Sequence, residues 1–220
     1  AGAAQQQVVV VAAVQDVGAV AAVKDSPIHL PLLAGLLIVA AVLGDAVNYA
    51  RALAHQPPNV IHPASLAREA QSLARKHKLK CTVLAGPALE RIKARGLLAV
   101  GNSAKHKPCL IRLEYRGAPR SRQHLVAIGK AITFDTGGYS IKTADSMVGM
   151  KFDKCGGMAV LGVLKAVATL KVACNVTGLI AAAENAISEE AYRPNDIIHM
   201  MNGRTVEIIS TDAEGRMVLA

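Results

Sequence analysis

The sequence predicts an α/β fold in which a mixed, mostly parallel sheet is sandwiched by helices. Of the 220 residues, 52% are hydrophobic but only 3% are aromatic, so the core must be built from aliphatic side chains. Strands of parallel sheets, which are buried on both faces, have this aliphatic composition. Aliphatic runs also alternate with helical patterns along most of the chain, as expected for an α/β sheet.

The N-terminal part predicts one strand and one connecting helix. A Val-rich run at residues 8–14 predicts the strand. Dense apolar residues at 30–55 predict a buried helix, which Pro57 and Pro58 end because proline cannot continue the hydrogen-bond ladder. We expect residues 1–44 to be the remnant of a smaller N-terminal α/β domain with this helix, and residues 45–220 to form the main domain.

The main domain is predicted to alternate helices and strands. Helical periodicity, Pro87 at a first helical turn and short aliphatic runs place these elements. In chain order they are a helix at 65–77, a strand at 81–84, a helix opened by Pro87, strands at 110–115 and 124–128, a helix at 157–170, and strands at 176–183 and 205–209.

Membrane association and secretion are not expected. The uncharged stretch at 30–44 is shorter than the roughly 20 residues that cross a bilayer. The four cysteines lack the spacing of a zinc ribbon and the density of a disulfide scaffold, which indicates reduced thiols in a cytoplasmic protein.

Positive charge is concentrated in the first half of the chain. Residues 1–122 contain 16 Lys and Arg against 6 acids, a net charge of +10, whereas residues 123–220 contain 9 against 10. This half could attract nucleic acid or an acidic partner. A solvated basic face is the favoured interpretation, because no aromatic stacking platform accompanies the charges. The clustered basic residues are Arg75, Lys76, Lys78, Lys80, Arg112, Arg116, Arg120 and Arg122.

Charged residues in the second half indicate a site for cations. Asp212 and Glu214 are two positions apart, so an extended backbone would direct both carboxylates to the same side. Carboxylates packed together repel one another unless divalent cations supply compensating charge. Taken singly, each loop acid is more simply explained as a turn former or helix cap. The other candidates, near strand ends or Gly-rich loops, are Lys130, Asp135, Lys142 and Asp153.

Two longer strings make the prediction specific. GKAITFDTGGYSIK at 129–142 and STDAEGRMVLA at 210–220 strongly resemble the two signature regions of the leucyl (cytosol) aminopeptidase family. ARALAHQPPN at 50–59 and MKFDKCGGMAVLG at 150–162 also match that family in order and spacing. The resemblance implies that residues 45–220 are a catalytic peptidase domain, truncated at both ends relative to the family.

The resemblance implies a metal centre with assigned ligands. Asp135 and Glu214 would bridge two divalent ions, Mn or Zn with Mg or Co as possibilities. Lys130 would coordinate as a neutral amine, so its pKa must fall well below about 10.4. The full set of implied ligands is Lys130, Asp135, Asp153, Asp212 and Glu214.

The resemblance also implies roles for three further residues. Lys142 would stay charged and stabilise the oxyanion, or it is simply a solvated loop charge. Arg216 would hold a bicarbonate ion that acts as general base, or it pairs with Glu214. Met150 would form a wall of the pocket for the first side chain, or it packs in the core.

The implied activity is metal-dependent hydrolysis of N-terminal residues, preferably leucine or other apolar ones, from peptides with a free N-terminus. The mechanism would use two metals and a bridging water, and the protein would form a homohexamer. Ser210 and Met217 stand where the family usually has Asn and Leu, which affects fine specificity and not the metal centre. Two alternatives remain: a DNA-binding or scaffolding member of the family, and an inactive structural subunit, which would be expected to lack ligands.

Overall fold

The computed structural model describes residues 29–220, with side chains from residue 31 onward. The strand predicted at residues 8–14 therefore lies outside the described residues. The elements in chain order are α1 (His29–His55), α2 (Pro63–His77), β1 (Lys80–Ala85), α3 (Pro87–Arg91), α4 (Arg95–Gly101), β2 (Cys109–Arg116), β3 (Leu125–Asp135), α5 (Ala144–Met147), a 3₁₀ helix (Met150–Phe152), α6 (Cys155–Thr169), β4 (Asn175–Asn185), β5 (Ile197–His199), β6 (Thr205–Glu207) and α7 (Glu214–Val218).

Four strands form the main sheet in the order β1-β2-β4-β3. Strands β3 and β4 are parallel because α6 carries the chain back across the sheet between them. The pairs β1/β2 and β2/β4 are antiparallel, and β5 and β6 form a separate hairpin. The predicted mixed α/β fold is confirmed. Among the described strands, however, parallel pairing is confined to β3 and β4, which is less than the mostly parallel sheet expected.

Helices cover both faces of the sheet, as predicted. Side chains of β4 alternate between the two faces, so Ile180 and Ala182 join one apolar cluster and Ala181 and Ala183 join another. The first cluster contains buried residues of α2 and α6, and the second contains residues of α3, α4 and α7. Because β3 and β4 are parallel, the loop that follows β3 and the segment that follows β4 emerge at the same edge of this sheet.

The helix predicted at 30–55 forms, but the expectation that it is buried is wrong. Its C-terminal half packs against α6, where a Cβ at Gly162 would lie 3.2 Å from the Ala46 carbonyl oxygen and 3.3 Å from the Ala50 Cβ. Residues 31–41 are exposed on all sides of the helix. By length and composition alone, Pro31–His55 could cross a membrane, a test that core helices also pass.

Helix α2 begins with a cap that depends on the charge state of a histidine. The Nδ1 atom of His62 accepts a hydrogen bond from the Ser65 backbone N–H, and the Ser65 hydroxyl accepts one from the His62 N–H. The His62 ring also stacks on His106 with 3.6 Å between centroids. Burial, followed by the charges of His106 and Arg68, lowers the pKa of His62 from 6.5. The neutral ring is therefore the form that caps the helix.

We expect stability to fall in acid partly through His62. Because the folded-state pKa of His62 is lowered, its contribution is present above the unfolded value of 6.5 and is lost as the pH falls through the lower folded value. Asn caps helices without titrating, so His62→Asn should flatten this part of the profile. Urea unfolding midpoints between pH 8 and pH 5 measure the effect. Equal slopes for both proteins would contradict it.

Candidate metal centre

Lys130 lies in the middle of β3 and reaches towards two carboxylates from later segments. Its Nζ is 2.9 Å from Asp153 Oδ1 and 2.7 Å from Glu214 Oε1. Asp153 directly follows the 3₁₀ helix, and Glu214 is the first residue of α7. Residues 130, 153 and 214, far apart in the sequence, thus meet on the face of the sheet that α7 covers.

An irregularity in β3 brings Asp135 to the same side. The pairing advances from Ile132 with Ala183 to Asp135 with Asn185, so β3 uses one residue more than β4 between these points. In a regular strand, residues five positions apart face opposite sides, and one extra residue reverses that relation. The bulge therefore directs Lys130 and Asp135 to one site.

Lys142 occupies the other half of the cluster. Its Nζ lies 3.0 Å from Asp135 Oδ2 and 2.5 Å from Asp212 Oδ1. Two lysines and four carboxylates thus alternate in one cluster at the edge where β3 and β4 end. Asp135 ends β3, Asp153 follows the 3₁₀ helix, and Asp212 and Glu214 lie in one segment, so the fold brings three segments together.

The loop after β3 requires glycine because it approaches the second signature segment closely. Gly137 and Gly138 have positive φ angles of 87° and 65°. A Cβ at Gly137 would lie 2.4 Å from the Ser140 carbonyl oxygen, and one at Gly138 would lie 2.9 Å from Thr211 Oγ1. The Thr211 hydroxyl donates to the Gly137 carbonyl at 2.6 Å and accepts from the Ser140 N–H at 2.8 Å. The two signature segments are therefore held against each other.

The donor set fits divalent cations. Asp135, Asp212 and Glu214 each offer an oxygen, and these oxygens all lie within 4.8 Å of one another. Asp153 Oδ2 is buried and has no hydrogen-bond partner among the described residues. Carboxylate oxygens at this density need compensating positive charge. Oxygen-rich sites of this kind suit Mn and Mg, and carboxylates also bind Zn.

Burial and hydrogen bonds shift the pKa values of the cluster in opposite directions. Burial raises the pKa of both Asp153 and Glu214 and outweighs the hydrogen bonds from Lys130, which lower it. Burial alone would lower the pKa of Lys130, but its hydrogen bonds to these two acids outweigh burial and raise it. With only protein groups around it, Lys130 is thus a charged ammonium. Lys130 could be a neutral, coordinating amine only if a dication replaced the ammonium as the positive partner of these two carboxylates.

The sequence profile of the cytosol aminopeptidase family, catalytic domain, matches residues 48–220. The chain belongs to this family. The match begins two residues before the first matching string, at 50–59, so the resemblance inferred from the sequence is confirmed. The predicted domain boundary between residues 44 and 45 stays a prediction.

Relatives within the cytosol aminopeptidase family are similar in sequence and in fold. A probable cytosol aminopeptidase of Cenarchaeum symbiosum (strain A) is 45% identical over 174 residues, which are 79% of this chain and 36% of the relative. The leucine aminopeptidase of Caenorhabditis elegans has a TM-score of 0.79 and 32% identity, and the similarity covers 83% of this chain and 37% of that one. The chain therefore spans little more than a third of these relatives.

A structure solved with metal is also similar to the chain. The bottromycin maturation enzyme BotP, in complex with Mn, has a TM-score of 0.79 and 33% identity, and the similarity covers 89% of this chain and 41% of that one.

The two remaining family positions lie beside the cluster. Arg216 is exposed on α7, two residues after Glu214, and takes part in no ion pair among the described residues, so the alternative pairing with Glu214 is not formed.

Met150 is half-buried at the start of the 3₁₀ helix. A cavity of about 420 Å³ lies next to it but is lined by its neighbours Gly149 and Lys151, together with Pro58, Phe134, Ala144, Met147 and Val148. The pocket role of Met150 stays a prediction.

Two buried polar residues at the site were not predicted from the sequence. Asn185, the last residue of β4, donates to Asp135 Oδ1 at 2.8 Å. The Tyr192 hydroxyl donates to the Thr211 carbonyl oxygen at 2.8 Å. The signal that could have found Asn185 is its position at the carboxyl end of a long apolar strand, where α/β sheets place ligand-binding residues.

Proposed function

We propose that this chain forms the catalytic core of an aminopeptidase that removes N-terminal residues, preferably leucine or other apolar ones, from peptides. The observation that carries the proposal is the convergence of Lys130 and four carboxylates, drawn from three segments of the chain, into one cluster that fits divalent cations. Membership of the cytosol aminopeptidase family supports the same activity.

The five proposed ligands would hold two divalent ions. The family resemblance implies that Asp135 and Glu214, the two most deeply buried carboxylates of the cluster, would serve both ions. Mn is our first choice, since the similar bottromycin maturation enzyme was solved with Mn, and Zn, Mg and Co are the other candidates. Ions of this kind polarise a carbonyl group and lower the pKa of a water molecule, which supplies the nucleophile at neutral pH. The other proposed ligands are Lys130, Asp153 and Asp212.

Lys142 would stabilise the negative charge that develops on the carbonyl oxygen of the scissile bond. Burial lowers its pKa, but hydrogen bonds to Asp212 and Asp135 outweigh burial and raise the pKa well above its usual range. The ammonium therefore stays charged at neutral pH. A fixed positive charge in a partly buried site favours the transition state more than the ground state.

Arg216 would bind the bicarbonate ion that takes a proton from the nucleophilic water. Arg216 is exposed on α7, two residues after Glu214, and its planar fork of N–H groups suits a small planar oxyanion. The preference for apolar first residues is proposed from the likeness to a leucine aminopeptidase. We further propose a cytoplasmic homohexamer.

No specific observation favours nucleic-acid binding. Of the basic side chains predicted as a possible binding face, Lys80, Arg112 and Arg116 all pair with the buried carboxylate of Glu114. Their charge is therefore partly neutralised within the protein. The DNA-binding or scaffolding alternative remains a second hypothesis, which salt-sensitive duplex binding would test.

Metal dependence tests the proposed function directly. We expect the full-length enzyme to release leucine from a leucyl amide, to lose this activity after chelation and dialysis, and to regain it when Mn or Zn is added. Amino-acid release measured by chromatography gives the rate. A blocked N-acetyl-leucyl amide is the control and should not be cleaved. Undiminished hydrolysis after chelation, or no hydrolysis by folded, metal-loaded protein, would refute the proposal.

A further inference from the structure

We propose that Asn185 is a positioning residue that determines which oxygen of Asp135 is presented to the metal centre. The inference rests on the proposed function, because it concerns the same cluster. Asn185 is fully buried at the carboxyl end of β4, beside the bulge that turns Asp135 into the site.

The side-chain amide of Asn185 connects the two signature segments. Its Nδ2 donates one hydrogen bond to Asp135 Oδ1 at 2.8 Å and a second to the Thr211 carbonyl oxygen at 3.0 Å. Both partners are acceptors, so only the nitrogen end of the amide can face them. The orientation of the amide is therefore fixed by chemistry, and one NH₂ group holds both Asp135 and the residue before Asp212.

These bonds give the two carboxylate oxygens of Asp135 different partners. Oδ1 accepts from Asn185 Nδ2 and from the Gly137 N–H at 3.0 Å, so its lone pairs are engaged. Oδ2 lies 3.0 Å from Lys142 Nζ, inside the charged cluster. Asn185 thus keeps the carboxylate in the rotation that leaves Oδ2 for cations. Residues that hydrogen-bond to a ligating carboxylate in this way orient it and tune metal affinity.

The other end of the amide argues against a purely structural role. Asn185 Oδ1 is buried and has no hydrogen-bond partner among the described residues. It faces Gly138, where a Cβ would lie 3.0 Å away. An unpaired buried carbonyl oxygen is costly, and an apolar side chain would avoid that cost. The amide is best explained by what its nitrogen does for Asp135 and Thr211.

Metal binding by the full-length enzyme tests this role. We expect Asn185→Leu, which keeps the branched shape of the side chain but removes the donor, to weaken Mn binding by about 10-fold to 100-fold in calorimetric titration of chelator-treated protein. At subsaturating Mn its kcat should fall, and saturating Mn should restore kcat with KM unchanged. The matched control is Thr133→Val, because Thr133 is equally buried on β3 and bonds only to the Ala183 carbonyl oxygen in the described residues.

The outcomes separate this inference from the proposed function. Wild-type protein that binds none of Mn, Zn, Mg and Co would overturn both. Wild-type binding with unchanged affinity in folded Asn185→Leu, or an equal loss in Thr133→Val, would overturn the inference alone. If circular dichroism shows that Asn185→Leu is unfolded, Asn185→Ala, which removes the amide without filling the site, replaces it. If both variants unfold while Thr133→Val folds, the residue is structural and the inference is overturned.

Discussion

Replacing Glu214 by Gln is expected to reduce aminopeptidase activity by more than about 100-fold, because loss of groups that merely orient a ligand already costs about 10-fold to 100-fold. The Glu214 carboxylate is almost fully buried, lies 2.7 Å from Lys130, and is one of three carboxylates that could share an ion. Gln keeps the shape but removes the charge that attracts a dication. Leucyl-amide hydrolysis and bound metal, measured on the same preparation, check the prediction.

The control for Glu214→Gln is Glu207→Gln. Glu207 is the last residue of β6 and is exposed. Its replacement by Gln removes the same charge at a position outside the cluster. Glu207→Gln should keep wild-type activity and metal content. If Glu214→Gln retained more than a tenth of the activity with full metal content, Glu214 would not be a ligand.

The second large effect is expected at Lys142. Lys142→Met removes the ammonium but keeps most of the aliphatic stem, and we expect kcat to fall by about 10²-fold to 10³-fold, as when one donor to a developing oxyanion is removed. KM should change little, because the charge acts on the transition state and not on bound substrate. Steady-state kinetics at saturating Mn separate the two constants.

A charge-matched variant distinguishes catalysis from general electrostatics. Lys105 is exposed in the loop after α4, so Lys105→Met removes one positive charge without touching the cluster and should leave kcat unchanged. Bound Mn must also be measured, because Asp135 and Asp212 lose their partner when Lys142 is replaced. An increase in KM at unchanged kcat would assign Lys142 to substrate binding only.

Element types were predictable where the local signal was strong. The helix ended by Pro57 and Pro58, the helix at 65–77 and the strand run at 176–183 all form as predicted. The short α4 and β5 were missed, because helices and strands of a few residues depend on tertiary packing more than on their own sequence. The membership of the charged cluster followed from the two signature strings and, for Asp153, from the matching string at 150–162, since spacing alone does not separate ligands from turn formers.

The geometry that makes the cluster work was not predictable. Regular strand alternation places Lys130 and Asp135 on opposite faces, and only the bulge between Ile132 and Asp135 reverses this. Asn185 alone resembles any polar residue at a strand end. For α1, apolar composition predicts burial, but composition does not reveal whether a partner surface lies within reach.

The exposed half of α1 has a practical consequence for work with this polypeptide in solution. Eight large aliphatic side chains between Leu32 and Val47 have between 40% and 62% of their surface accessible to solvent. Exposed apolar surface of this kind promotes self-association and precipitation. Light scattering should therefore accompany every kinetic assay, since aggregated material would lower specific activity in wild type and variants alike.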